Sequence, residues 1–275
     1  MSYATYVHGG QTHVGELDGD ELVPLVGLTE IGVQTGPGVL AQTARDPSGR
    51  VAVSAVTLRP VVPNPTKVFC VGLNYHAHIE ESRRELPTYP VLFPKYASSL
   101  LGADEDIVLP PESHQVDYEG ELAVVIGRAG RRISYADAAD HIGGYAVAND
   151  ITMRDYQYKT HQWLQGKAWD RSTPLGPYLV TPAEADISGA RITTTLNGEV
   201  VQDADLSMLI FDIPTLVSTI SEFTTLLPGD VILTGTPSGV GYRREPQRLL
   251  ADEDTVVVEI AGVGRVTSRV RAQSA

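Results

Sequence analysis

The stretch Asp117-Tyr118-Glu119-Gly120-Glu121-Leu122-Ala123-Val124-Val125-Ile126-Gly127 constrains this chain more than any other. Its second half is an unbroken apolar run of strand length, which belongs in a core. Its first half puts a carboxylate at every second residue, and residues two apart on a strand share a face. Asp117, Glu119 and Glu121 therefore continue the face that carries Ala123 and Val125. Like charges at the mouth of a buried strand repel one another and are costly to desolvate. A hard divalent cation removes that penalty, and carboxylate oxygens suit Mg²⁺, Mn²⁺ or Ca²⁺. Taken alone, Glu-x-Glu reads more readily as a solvated edge strand. A second buried-looking strand, Tyr145 to Ala148, runs straight into Asn149-Asp150 and offers Asp150 as a third ligand. Asn-Asp pairs also cap turns, so Asp150 by itself decides nothing.

The 275 residues allow one large domain and a small one, and 42% hydrophobic content is enough for a full core. A formal charge of −13 argues against nucleic acid and anionic membranes as partners, since both need a basic face. An anionic substrate is admissible only where a cation inverts the field locally. The N-terminus shows no charged-then-apolar signal pattern, and no apolar run approaches membrane-spanning length, so the expected location is cytoplasmic. The single cysteine, Cys70, excludes an intramolecular disulfide and lies in the apolar run Val68 to Val71, where it reads as a core residue.

Residues 1–60 read as a small, separate β unit. Short alternating segments (Tyr3 to Val7, His13 to Leu17, Glu21 to Leu25) are divided by His8-Gly9-Gly10-Gln11 and Asp18-Gly19-Asp20, which are hairpin signals. A weak helix near Val39 to Ala44 follows, and Pro60-Val61-Val62-Pro63-Asn64-Pro65 reads as a linker. Residues 66–271 form the expected catalytic domain. Strands are expected at Val68 to Val71, Glu121 to Ile126, Tyr145 to Ala148, Val231 to Thr234, Val256 to Ile260 and Arg265 to Val270. Asn74 is placed to cap a helix through Arg83, and Ser134 a short helix ending at Gly143-Gly144. The clearest helix spans Ile213 to Thr225, with Asp212 at its N-cap and Ile213, Leu216, Val217, Ile220 and Phe223 at helical spacing. Repeats and regular βαβ alternation are absent from the pattern. The expected class is α+β and β-rich, with mixed sheets and helices outside.

His78 and Glu81, three apart on the expected helix, share a face, and a carboxylate beside an imidazole suits a general base. Surface His–Glu pairs at this spacing are also common. His76 and Glu80 project elsewhere. Lys167, between Trp163 and Trp169, could neutralise a substrate carboxylate or a developing enolate, although most lysines are simply solvated. The Gly-rich run Thr234-Gly235-Thr236-Pro237-Ser238-Gly239-Val240-Gly241 lacks the Gly-Lys-Ser/Thr ending of a phosphate loop. It reads instead as a tight turn that presents the Thr236 hydroxyl and backbone amides to a small anion. There is no Ser-centred nucleophile elbow.

Together these blocks resemble the fumarylacetoacetate hydrolase family from about Lys67 to Val270. They are Val71-Gly72-Leu73-Asn74-Tyr75 with His78 and Glu81; Pro90-Val91-Leu92-Phe93 with Lys95; Asp117 to Leu122; Asn149-Asp150 with Arg154-Asp155 and Gln157; Gly166-Lys167; Leu175-Gly176-Pro177; and Leu227-Pro228-Gly229-Asp230 leading to Thr234-Gly235-Thr236-Pro237. The resemblance implies a β-rich roll of mixed sheets, commonly a homodimer, with a variable N-terminal domain. It implies Mg²⁺ or Mn²⁺ on Glu119, Glu121 and Asp150, with Ca²⁺ as a non-physiological occupant. It further implies a His78–Glu81 dyad, a catalytic Lys167, and Tyr75, Lys95, Arg154, Gln157 and Thr236 around the substrate. Asp117 then reads as a supporting or surface group. The largest family members carry a further aspartate ligand just after the position of Asn74; here that stretch is Tyr75-His76-Ala77, as in the smaller bacterial and mitochondrial members. Glu85 to Tyr89 and His161 to Gln165 are subgroup segments expected to border the substrate.

The activity implied first is hydrolysis of a carbon–carbon bond in a small 2,4-dioxo acid of the acylpyruvate or fumarylpyruvate type, with His78 activating water. The same enolate chemistry serves oxaloacetate decarboxylation, and isomerisation or decarboxylation of hydroxymuconate-type diacids. A non-catalytic diacid binder would need neither His78 nor Glu81.

Overall fold

The computed structural model describes residues 1–273. Its centre is the strand Gly120–Ile126, buried along its whole length. Leu122, Val124 and Ile126 pack on one side, in a core shared with Leu216, Val217 and Ile220 of the helix Ile213–Phe223. Ala123 and Val125 pack on the other side with Cys70, Ala146, Ala148, Leu175 and Leu233. A strand covered on both faces must be apolar throughout, which accounts for the uninterrupted run in the sequence.

Its antiparallel neighbour is Ile142–Asn149, in register Gly120↔Asn149, Glu121↔Ala148 and Ala123↔Ala146. All eight residues of that neighbour are buried. It starts earlier than the pattern suggests: Gly143-Gly144 belongs to the strand rather than to a helix end, and the Ser134 hydroxyl donates to Asp137 ahead of a 3₁₀ turn at Ala138–His141. Glycine is needed at 144 because a Cβ there would meet the Val180 carbonyl oxygen at 2.6 Å.

On the far side Val231–Leu233 joins Gly120–Ile126, followed by Val68–Gly72 in parallel and Val91–Lys95. Beyond Ile142–Asn149 lies Thr173–Val180, a strand that the sequence concealed because Pro174, Gly176 and Pro177 interrupt its β pattern. The pairing to Ile142–Asn149 skips between Tyr145 and Val147, and this bulge accommodates the proline segment. A second sheet, ordered Glu199–Asp205, Arg191–Leu196, Thr255–Ile260, Gly264–Ala272 and Ile107–Leu109, contributes Ile192, Val258, Ile260 and Val266 to the core around Leu122. The molecule is strand-rich with mixed sheets and outlying helices, as its sequence implies.

The N-terminal strands Ser2–His8, Gln11–Asp18 and Glu21–Pro24 form the expected hairpins, and a short helix spans Pro37–Gln42. They do not build a sheet of their own. Ser2 and Tyr3 pair with Val180 and Leu179, so these strands extend the central sheet, and Tyr3 shares a core with Leu179. The proline-rich stretch is not a free linker either. Val61 and Val62 are fully buried, the Val61 amide donates to Leu175, and its carbonyl accepts from the Thr5 hydroxyl.

Asn74 does not cap the helix that follows. The helix is His76–Ser82, its N-cap Tyr75 makes no side-chain cap, and Arg83 closes it in the left-handed region. The Asn74 side chain instead donates to the carbonyls of Phe211 and Thr234 and accepts from the Phe211 amide. It ties the start of the His78 helix to the strand end that carries Gly235. The helix Ile213–Phe223 is capped by Asp212 as expected, although Phe223 is exposed and meets Phe69 edge-on. Among the described residues no helix is long and apolar enough to cross a membrane.

Removing residues 1–58 strips the outer strand from Thr173–Val180 and uncovers Leu179 and Val180. The truncated chain is expected to lose its single cooperative urea transition; a native-like transition in it would show that residues 1–60 are an independent domain.

Candidate active site

The β register brings the carboxylates together. Glu119 and Glu121 share the face of Ala123 and Val125, and Asp150 shares that of Ala146 and Ala148 on the neighbouring strand. The Asp150 amide donates to the Glu119 carbonyl at 2.8 Å, which continues the ladder past the last paired residues. An oxygen from each of Glu119, Glu121 and Asp150 lies within 4.8 Å of the other two, and all three residues are buried. Such a cluster of hard oxygen donors could hold a divalent cation.

Asp117 does not join them, and it is not at the surface. It is completely buried, accepts from Arg154 Nε at 2.8 Å, and takes the backbone amides of Tyr118, Gly241 and Tyr242. Four buried carboxylates thus face three buried cations. Arg154 serves Asp117 and, through Nη1, Glu119 at 2.7 Å. Lys167 Nζ bridges Glu119 at 2.7 Å and Asp150 at 2.8 Å, and Lys95 Nζ lies 2.6 Å from Asp150. Among the described residues no cation pairs with Glu121, and its Oε2 accepts only the Gly235 amide, at 2.8 Å.

The electrostatics follow from that imbalance. Burial opposes the charge on Glu119, yet Lys167 and Arg154 outweigh it and hold its pKa down to about 2. Burial, with Asp150 and Glu119 adding to it, pushes Glu121 well above the usual carboxylate range. Burial alone would discharge Lys167, but Asp150 and Glu119 keep its ammonium above the ordinary lysine range. Glu121 is thus the carboxylate whose ionised form the protein leaves uncompensated, beside two other carboxylates, and a cation would favour its ionisation.

The turn after Leu233 does present amides to anions, as its sequence suggests, but the anions are the protein's own. Gly235 donates to Glu121, Gly239 to Glu81, and Gly241 and Tyr242 to Asp117. Gly235 adopts φ +99° and a Cβ there would meet Asn74 Cβ at 2.8 Å, so no other residue fits without displacing the Asn74 brace. Thr236 Oγ1 donates to the Gly120 carbonyl and accepts from Gln202 Nε2. Gln202 is a site-building residue that sequence reasoning missed. It is buried, and its Oε1 takes the Gly120 amide, between the two glutamates. Polar residues on an outer strand carry no local signal of this role.

His78 and Glu81 form the expected pair, with Nδ1 and Oε2 3.2 Å apart, and Glu81 Oε1 is fixed by the Gly239 amide at 2.9 Å. Gly166 permits the remaining approach. A Cβ there would lie 2.6 Å from Gln157 Cα, so glycine lets Leu164–Lys167 pack onto Arg154–Gln157 and places both cations on Glu119.

His78, Glu119, Glu121, Arg154, Gln157, Lys167 and Thr236 line one cleft of about 550 Å³, counted to its open mouth. Phe93 and Trp163, packed edge-to-face, form apolar wall, and Arg84, Tyr158, Tyr242 and Arg243 are among the other lining residues. Two expected substrate contacts lie elsewhere. Lys95 sits beneath the carboxylates as a partner of Asp150, and Tyr75 is buried with its hydroxyl unpartnered among the described residues. Of the subgroup segments, Trp163 and the neighbouring Arg84 reach the cleft, whereas Glu85 to Tyr89 do not line it.

Residues 67–271 match the family model described as "Fumarylacetoacetate (FAA) hydrolase C-terminal". The chain belongs to this family. The family enzyme is 44% identical over 220 residues to the human protein named oxaloacetate tautomerase FAHD2A, mitochondrial, covering 79% of this chain and 70% of that one. Among solved structures it resembles a fumarylacetoacetate hydrolase from Exiguobacterium antarcticum (32% identity, TM-score 0.88, covering 99% of this chain and 100% of that one). It also resembles a 2-hydroxyhepta-2,4-diene-1,7-dioate isomerase from Mycobacterium marinum (31% identity, TM-score 0.83, full coverage of both).

Asp117→Ala would leave Arg154 buried with half its compensation gone. It is expected to cost about 3–5 kcal/mol of stability, measured by urea unfolding, as for other buried pairs stripped of one member.

Proposed function

We propose that this family enzyme requires a divalent cation, Mg²⁺ or Mn²⁺, on Glu119, Glu121 and Asp150, and moves a proton at the carbon next to the keto group of a small 2-oxo acid. The observation that carries the reading is the buried three-carboxylate cluster, in which Glu121 lacks a counter-charge and which lines, through Glu119 and Glu121, the same cleft as a histidine held by a carboxylate. When bound, the cation supplies Lewis-acid polarisation of the 2-oxo and carboxylate oxygens.

The chain's own groups do the rest. Glu81, held by the Gly239 amide, accepts from His78 Nδ1–H and leaves Nε2 as the basic nitrogen. Nε2 takes a proton from C3 of the keto form and delivers it to the 2-oxo oxygen, giving the enol, and the reverse transfer restores the keto form. Negative charge that develops on the substrate oxygen is met by the ammonium of Lys167 and the guanidinium of Arg154, both kept protonated by their carboxylates. Phe93 and Trp163 limit water on one side.

Keto–enol tautomerisation of oxaloacetate is placed first because the relatives that share 44% identity carry that name. This shifts the emphasis from carbon–carbon hydrolysis, which remains the second reading. There the same Nε2 takes its proton from water, which attacks the 4-carbonyl of a 2,4-dioxo acid. A maleylpyruvate hydrolase from a Sphingobium species, 27% identical with TM-score 0.80, supports keeping it.

Purified protein with Mg²⁺ would be assayed on oxaloacetate, acylpyruvates, fumarylpyruvate and maleylpyruvate. Metal-dependent turnover of oxaloacetate enol is expected, and no turnover of any compound would refute the reading. Glu121→Ala is expected to abolish Mg²⁺ binding in calorimetric titration; normal binding would remove Glu121 from the ligand set. His78→Ala should keep Mg²⁺ binding and lower kcat by about 10²–10⁴-fold, the usual worth of a positioned base.

A further inference from the structure

The cleft lining divides into two electrostatic parts. In the buried part every cation already holds a carboxylate of the protein. Arg84 and Arg243 belong to the other part. Arg84 is exposed and Arg243 partly so. Among the described residues no carboxylate lies within ion-pair distance of either; Arg83, Arg128, Arg131, Arg132 and Arg265 also lack an ion pair but do not line this cleft, whereas ion pairs hold Arg244 and Arg248. The contrast is sharpest within one short segment. Arg244 reaches Glu199 and Arg248 reaches Asp254, while Arg243 between Tyr242 and Arg244 turns to the cleft.

Arg243 is also held in place. Its Nη2 donates to the Tyr158 hydroxyl at 3.3 Å, and its guanidinium lies 5.3 Å from the centre of the Tyr242 ring. Tyr158 and Tyr242 in turn pack with ring centres 5.6 Å apart. Its backbone is pinned by Asp117, which takes the amides of Gly241 and Tyr242 while gripping Arg154 on the cleft floor. One carboxylate thus sets the floor arginine and the turn that carries the mouth arginine. A guanidinium has five N–H donors, and Arg243 uses one on a side chain here. In a chain of net charge −13, unpaired cations at a cleft mouth reverse the local field for an incoming anion.

We infer that Arg243, with Arg84, forms a distal anion site that selects 2-oxo acids bearing a second carboxylate over 2-oxo monoacids. The inference rests on the enolate reading above. Dicarboxylates would be anchored at both ends, the keto-acid end over Glu119, Glu121 and Asp150 and the far carboxylate on the planar fork of Arg243.

The test is exchange of the C3 protons into D₂O, followed by NMR with Mg²⁺-loaded full-length enzyme. The pair of compounds is oxaloacetate and 2-oxobutanoate, which share the keto-acid end and differ in the distal carboxylate. The readout is the ratio of their kcat/KM values above the uncatalysed rate. Arg243→Gln is expected to lower that ratio roughly 10–100-fold, mainly through KM for oxaloacetate, as loss of a charge-assisted contact implies. Arg243→Lys should restore part of it. Circular dichroism and Mg²⁺ titration of each variant verify that fold and metal site persist. A ratio within about threefold of the parent in both Arg243→Gln and the Arg84→Gln/Arg243→Gln double variant, the scale of a solvated surface charge, overturns the distal site and leaves the enolate reading standing. Failure of the parent enzyme to exchange either compound overturns both.

Discussion

Four carboxylates are buried where two paired core strands end, and the surrounding structure is organised by what their burial costs. A charge inside a protein persists only with counter-charges and hydrogen bonds around it. Here Lys95, Lys167 and Arg154 converge on the cluster from three different elements. The amides of the Gly235–Tyr242 turn and of Tyr118 supply further donors. Each of these groups is itself buried or fixed by the carboxylate it serves. The cluster therefore acts as a knot that joins the central sheet, the two short helices at Arg154 and Lys167 and the turn after Leu233.

The knot is stable as a scaffold yet incomplete as an electrostatic arrangement. Asp117, Glu119 and Asp150 each have a cation, whereas Glu121 has one backbone amide. That asymmetry leaves Glu121 as the one carboxylate of the four whose ionised form meets no counter-charge. The same economy extends to the mouth of the cleft, where Asp117 steadies Arg154 and the turn bearing Arg243 at once.

Most of the sheet was legible because burial writes itself into composition. The runs at Leu122 to Ile126 and Tyr145 to Ala148 are covered on both faces, and the helix at Ile213 shows its one-sided pattern and its Asp212 cap. Thr173–Val180 was not legible, since Pro174 and Pro177 contradict β propensity and only the bulge opposite Val147 makes room for them. Tertiary demand also overrode local capping at Asn74, whose side chain holds two distant carbonyls. Likewise Val61 and Val62, read as linker, are fully buried, as prolines on either side give no hint of what covers them.

The carboxylate cluster, the His78–Glu81 pair and Lys167 could be picked out from residue types, two- and three-residue spacings and the order of the family blocks. Those spacings are local, so strand and helix periodicity alone decide which side chains share a face. Charge pairing was beyond their reach. Nothing in the sequence says that Lys95 lies under Asp150 rather than against substrate, that Gln202 braces Thr236 and Gly120, or that the Gly-rich amides bind the protein's own carboxylates. These are contacts between residues tens to more than a hundred positions apart, and only the register of the sheet and the packing of its loops bring their atoms within hydrogen-bond distance.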